Sequence, residues 1–225
     1  MATSGSTNFE LDVADYIEEA FERCGMESRT GYDLKTAKRS LNLVLADWAN
    51  RGLNRWTIAQ TTTSISSGTA SYSLGADTID VLGVIIRTGS GTTQSDQVLT
   101  RLSRDAYLTI PNKNTQAKPS QFYIDRQITP EIKLWPTPDD SYSIVYDRLT
   151  RMDDADTFIN TMEVPFRFYP CLSAGLAYYL ALKKAPERVA LLKTVYEEEF
   201  KRAADEDRDR ASLKLTPSRD YYTRS

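Results

Sequence analysis

Apolar positions recur at helical spacing over residues 9–24, as Leu11, Val13, Ile17, Ala20, Phe21 and Cys24. That period predicts an amphipathic helix, with Gly25 as its stop. Its other face is acidic: Glu10, Asp12, Asp15, Glu18, Glu19 and Glu22 all precede the first basic residue, Arg23. Carboxylates in the early turns also suit the positive end of the helix dipole. A second helix is predicted over residues 33–50, with Leu34, Ala37, Leu41, Val44, Leu45 and Trp48 as its stripe and Asp33 as N-cap.

The period then changes. From residue 57 to about 151 the chain is rich in Thr, Ser, Ile, Val and Tyr, punctuated by Gly, Pro and Asp. Ser71-Tyr72-Ser73-Leu74 alternates, as does Tyr142-Ser143-Ile144-Val145-Tyr146. Gln121-Phe122-Tyr123-Ile124-Asp125 and Glu131-Ile132-Lys133-Leu134-Trp135 read as two strands around Thr129-Pro130. A short helix capped by Ser103 is expected over residues 103–109. The block predicts a small antiparallel β-domain of roughly six or seven strands.

Helical spacing returns near Val164. Phe166, Phe168, Cys171, Leu172, Leu176, Tyr179, Leu180 and Leu182 are too dense for one stripe, so this helix should be the most buried. Pro186 ends it or opens the next helix, whose apolar face is Val189, Leu192, Val195, Tyr196 and Phe200. Two helices at each end cannot hide their stripes alone. The expected fold is therefore α+β: a helical bundle built from residues 8–56 and 160–210, a small antiparallel β-domain inserted at 57–155, and an extended C-terminal tail at 211–225.

Composition narrows the chemistry. The chain has 225 residues, 40% hydrophobic and 26% charged, close to a soluble globular average. The longest apolar runs, such as residues 81–86, are too short to cross a bilayer. Residues 1–8 carry no positive charge and no apolar core, so no signal peptide is expected and the product should stay soluble where it is made. Cys24 and Cys171 lie in apolar patterns and are expected as free buried thiols. The sequence contains no histidine, which removes the commonest metal ligand and the commonest general base together. No cofactor or metal is expected. A net charge of -3 gives no overall pull toward nucleic acid.

The remaining motifs favour structural readings. The glycine-rich run at residues 87–93 lacks the Gly-Lys-Ser/Thr ending of a P-loop and the spacing of a dinucleotide fingerprint, so it predicts a hairpin loop. A carboxylate pair such as Glu18 and Glu22 would serve glycoside hydrolysis only across a cleft, with one pKa raised. A solvated helix face explains the pair more simply. The mixed charges of residues 197–209 predict a solvated helix laced with weak ion pairs, with an exposed strut between subunits as the sharper alternative. The tail carries Lys214, Arg219 and Arg224 against Asp220, together with Tyr221 and Tyr222. It is disordered, touches nucleic acid, or orders on a protein partner, the last being favoured.

Several stretches resemble the head-to-tail adaptor proteins of short-tailed phages. They are Arg29-Thr30-Gly31-Tyr32-Asp33-Leu34-Lys35-Thr36-Ala37-Lys38-Arg39-Ser40-Leu41-Asn42-Leu43 and Asp47-Trp48-Ala49-Asn50-Arg51-Gly52-Leu53-Asn54. Ile85-Ile86-Arg87-Thr88-Gly89, Val164-Pro165-Phe166-Arg167-Phe168 and Leu176-Ala177-Tyr178-Tyr179-Leu180-Ala181 are similar to the same family, so the resemblance spans residues 8–184 in order. It implies a non-enzymatic virion protein, made in the host cytoplasm, that forms a ring of about twelve copies beneath the portal. Implied partners are further copies of itself, the portal protein, a tail nozzle or tail tube protein, and a tail fibre or spike. Genomic DNA would pass through without specific binding, and no membrane is involved. C-terminal tails of the family reach the portal, which makes Leu213, Leu215, Arg219, Tyr221 and Tyr222 candidate docking residues. Asp12, Asp15, Glu19 and Glu22 are candidate channel-facing acids, with the outside of the ring as the other possibility. Some relatives have been linked to peptidoglycan cleavage, so a carboxylate-based peptidoglycan hydrolase carried in the virion is the alternative function. A DNA-binding module, with affinity falling steeply in salt, is the third.

Overall fold

The computed structural model describes residues 4–27, 30–52 and 55–208. The first helix, α1, spans Val13–Arg23 and starts later than its apolar period suggests. Asp12 stops it there: its carboxylate accepts from the Asp15 N–H at 2.8 Å, while Asp15 accepts from the Asp12 N–H at 3.2 Å. This reciprocal cap satisfies two otherwise orphaned backbone donors. Phe9 and Leu11 therefore lie outside the helix; beside them Asp12 bridges to Thr161, and the Val13 N–H donates to the Asn160 carbonyl.

The second helix, α2, spans Gly31–Arg51 and is capped by Thr30, not by Asp33. Thr30 is extended, and its hydroxyl accepts from the Asp33 N–H at 3.2 Å. Asp33 thus sits in the first turn, where its carboxylate pairs with Lys184 across the fold.

The middle of the chain forms β1 (Ile58–Ile65), β2 (Ser71–Ser73), β3 (Thr78–Thr88), β4 (Ser95–Val98), β5 (Thr100–Arg101), the short helix α3 (Arg104–Leu108), β6 (Gln121–Asp125), β7 (Glu131–Trp135) and β8 (Tyr142–Thr150). Ser103 caps α3 as predicted. The strands make two four-stranded sheets, ordered β1-β8-β3-β4 and β2-β7-β6-β5. The alternating Ser71–Leu74 stretch is β2, whereas β5 is only two residues long, too short to show a period. The predicted pair β6 and β7 is antiparallel, running from Gln121 opposite Trp135 to Asp125 opposite Glu131. The block is not wholly antiparallel, however. β5 pairs with β6 in parallel, because α3 lies between them and returns the chain to the same end of the sheet.

The last two helices are α4 (Tyr169–Lys184) and α5 (Val189–Glu206), with Pro186 opening the 3-10 turn that joins them. α4 is the most buried, with Cys171, Leu172, Leu176, Ala177, Leu180 and Ala181 inside. Two residues of its dense apolar run escape that burial: Phe166, which falls in the turn before the helix, and Leu182 are exposed. At Gly175 a Cβ would lie 2.8 Å from the Tyr196 ring and 3.1 Å from Val44. Only a hydrogen fits there, which lets α4 approach α5 and α2 closely.

Two separate apolar cores result. One joins α1, α2, α4 and α5, and takes in Met152, Ala155, Met162 and Val164 from the segment after β8. The other lies among the strands of both sheets and is largely aliphatic, with Val81, Ile86, Ile132, Leu134 and Ile144 at its centre. Both cysteines are free and buried, and the Cys24 thiol donates to the Ala177 carbonyl at 3.3 Å. Among the described residues no helix is long and apolar enough to cross a membrane.

Candidate functional site

The acidic face of α1 borders a groove of about 650 Å³. Asp15, Glu18, Glu19 and Glu22 form one wall, and Tyr169, Pro170 and Ser173 at the start of α4 form the other. Glu10 and Leu11 line it from the segment before α1. Of the four candidate channel acids, Asp15, Glu19 and Glu22 line this groove, whereas Asp12 is taken up by the helix cap. Glu19 also pairs with Arg23 at 2.7 Å. The period of the sequence places these acids on one face; the facing wall is set by the packing of α4.

The groove has an aromatic mouth. Phe9 and Phe166 are 62% and 70% exposed, and their ring centroids lie 6.4 and 5.5 Å from that of Tyr169. Behind Tyr169, the edge of Tyr16 approaches at 6.1 Å. The Tyr16 hydroxyl is fully buried and has no hydrogen-bond partner among the described residues. Burial, and then the neighbouring Tyr169, push its pKa well above the usual phenol value.

A second constellation was not visible in the sequence. Arg51, at the end of α2, reaches Asp47 at 2.8 Å and forks onto Glu197 of α5 at 2.7 and 2.9 Å. Its guanidinium lies 4.8 Å from the Tyr196 ring centroid and 4.6 Å from that of Phe200. Tyr196 donates to Asp47 at 2.8 Å and accepts from the Trp48 indole N–H at 2.9 Å. The Arg51 hydrogen bonds hold the Glu197 carboxyl below its ordinary pKa. Glu197 is therefore an inter-helix tie, unlike the solvated pairs expected of its neighbourhood, such as Arg202 with Glu199 at 3.0 Å. The Asp47–Arg51 spacing of one helical turn is the only part of this lock that local sequence shows.

The other singled-out motifs are accounted for locally. Arg87 and Thr88 end β3, residues 89–94 join it to β4, and Arg87 forks onto Asp96 at 2.8 and 2.9 Å. Gly89 has φ +73°, a conformation that a side chain would strain. The Thr93 and Gln94 N–H groups donate to Ser90 and Gly91 within the turn, so they do not point outward as a phosphate cradle. Glu18 and Glu22 occupy the same wall of the groove, and the facing wall carries no carboxylate. A glycosidase needs its acids on opposite sides of the bond. Among the described residues no three His, Cys, Asp or Glu side chains are grouped to hold a metal ion. Leu213, Leu215, Arg219, Tyr221 and Tyr222 lie outside the described residues.

The profile of the SU10 adaptor protein family matches residues 11–219. The chain belongs to that family. It is a phage head-to-tail adaptor family, so this adaptor is a virion component that associates with phage portal and tail components. The match takes in all the helices and both sheets, and continues into the C-terminal segment as far as Arg219. No individual curated protein matches the adaptor.

Proposed function

We propose that the adaptor is a non-enzymatic ring subunit, present in about twelve copies beneath the portal, that joins the capsid to a short tail and forms part of the DNA channel. The family match over residues 11–219 is the observation that carries this reading. The architecture supports it. In this reading the four helices that share one apolar core are the rigid part of the ring, the strand-rich block at 57–155 is the docking surface for tail components, and residues 211–225 are the segment assigned to the portal. A wall bearing Asp15, Glu19 and Glu22 suits a conduit through which DNA slides, because like charge disfavours holding the phosphate backbone.

Native mass spectrometry of the purified chain mixed with its portal tests the proposal. The expected result is a closed ring of about twelve copies on the portal. A chain that stays monomeric with portal present overturns it. Deleting residues 213–225 should leave the fold intact and weaken portal docking, and undiminished docking would remove that segment from the interface.

A further inference from the structure

We propose that the groove between α1 and the start of α4 is the docking site of this chain's own C-terminal segment, residues 209–225. Three observations converge on that occupant.

The first is where the described chain ends. α5 runs back along α4 and finishes at Glu206, and the next residue, Asp207, is ion-paired with Arg167. Arg167 lies over the Phe168 and Trp56 rings, two positions before Tyr169, which lines the groove. The segment therefore leaves the fold beside the turn Phe166–Phe168, which leads directly into Tyr169.

The second is reach. Extended, the segment's 17 residues span up to roughly 55–60 Å, whereas the 11-residue helix that forms the acidic wall is only about 16 Å long. The groove is filled without stretching the chain.

The third is complementarity. Glu10, Asp15, Glu18, Glu19 and Glu22 face the groove against a single base, Arg23. The C-terminal segment reverses that balance, with Arg210, Lys214, Arg219 and Arg224 against Asp209 and Asp220. Its apolar residues match as well: Leu213, Leu215 and the Tyr221–Tyr222 pair suit a mouth where Phe9 and Phe166 stand exposed beside Tyr169. Attachment to α5 raises the effective concentration of the segment at the groove to the millimolar range, so modest contacts suffice.

The consequence for assembly rests on the function proposed above. A segment held in cis is withheld from the portal until the portal competes for it, which lowers its apparent affinity in the free subunit.

The test uses the full chain. An equal mixture of isotopically light and heavy protein at low concentration is treated with a carbodiimide, which joins amines to carboxylates in contact, and is then mapped by mass spectrometry. Lys214 is expected to couple to Glu18, Glu19 or Glu22 of the same copy. Amide hydrogen exchange over residues 213–222 should be slowed about tenfold, and the slowing should vanish in Glu18→Lys/Glu22→Lys and in Lys214→Glu/Arg219→Glu. The second variant changes no residue of the described fold, so it decides the matter should the first disturb α1. Mixed light–heavy products making up about half of the coupled pairs, the proportion expected of random pairing between copies, assign the groove to a neighbouring subunit and overturn the proposal. Absent coupling together with unslowed exchange also overturns it, and tail-dependent portal docking in that case leaves the adaptor reading standing.

Discussion

The helical core and the strand core of this chain are built on different chemistry. The helical core gathers Tyr16, Trp48, Phe168 and Tyr196 among its buried side chains, and it ties α2 to α5 through the Arg51 fork and the Tyr196 hydroxyl. The strand core is mostly Val, Ile and Leu, and its specificity comes from register. Aromatic rings with polar handles fix the angle and rotation at which helices meet. Aliphatic side chains fill a sheet interior without directing it, since the backbone ladder already does so. The helices thus depend on directional side-chain contacts for their mutual placement, and the sheets depend on the backbone ladder.

Matched truncations should break the comparison most sharply. Trp48→Ala removes a fully buried ring and its hydrogen bond to Tyr196, and is expected to cost about 3–5 kcal/mol. Leu134→Ala should cost about 2–4 kcal/mol. Hydrogen exchange mapped by peptide separates the two: Trp48→Ala should deprotect α1, α2, α4 and α5 ahead of β6 and β7, and Leu134→Ala the reverse. Simultaneous deprotection everywhere would show that the two cores unfold as one.

Alkaline pH should weaken the helical core next. Burial raises the folded-state pKa of Tyr16, Tyr196 and Cys171. Their stabilisation is fully present below the unfolded values, and it is lost as pH rises through the gap toward the folded ones. For the two tyrosines the unfolded value is about 10, so by pH 11 the loss should be about 2–3 kcal/mol. Denaturant midpoints measured from pH 8 to 11 check this. A flat profile would sink it.

The smallest expected effect has the opposite sign. Tyr16→Phe removes a hydroxyl with no partner among the described residues while keeping the ring against Tyr169, and should stabilise by about 1 kcal/mol. Thermal unfolding of that variant reads it directly, and a destabilised variant would mean that the hydroxyl has found a partner.

What the sequence made legible divides along the same line. α1, α2, α4 and α5 announce themselves by period, and β6 and β7 by alternation on either side of a Thr-Pro turn. Local chemistry was harder to read at the ends of helices. Thr30 and Asp33 are both good caps, and only the extended backbone at Thr30 decides between them. The parallel pairing of β5 was hidden because two residues show no period. Arg51 and Glu197 lie 146 positions apart, and no local pattern joins them. For the groove, the sequence supplied the acidic wall, and the fold supplied Tyr169, Pro170 and Ser173 opposite it. That second wall depends on where α4 begins, which its apolar run left open by several residues.

The strand-rich block is attached in a way that has a mechanical consequence. Its first strand, β1, and its last, β8, are hydrogen-bonded neighbours with Ile58 opposite Leu149, and the Thr150 hydroxyl clasps the Thr57 carbonyl at 2.8 Å. The block therefore hangs from the helices by a paired ribbon. A body held by one strand can swivel about it; a body held by two adjoining strands resists torsion. A twist applied to the sheets is therefore resisted at the Thr57–Thr150 clasp, and Met152, two residues further on, already belongs to the helical core.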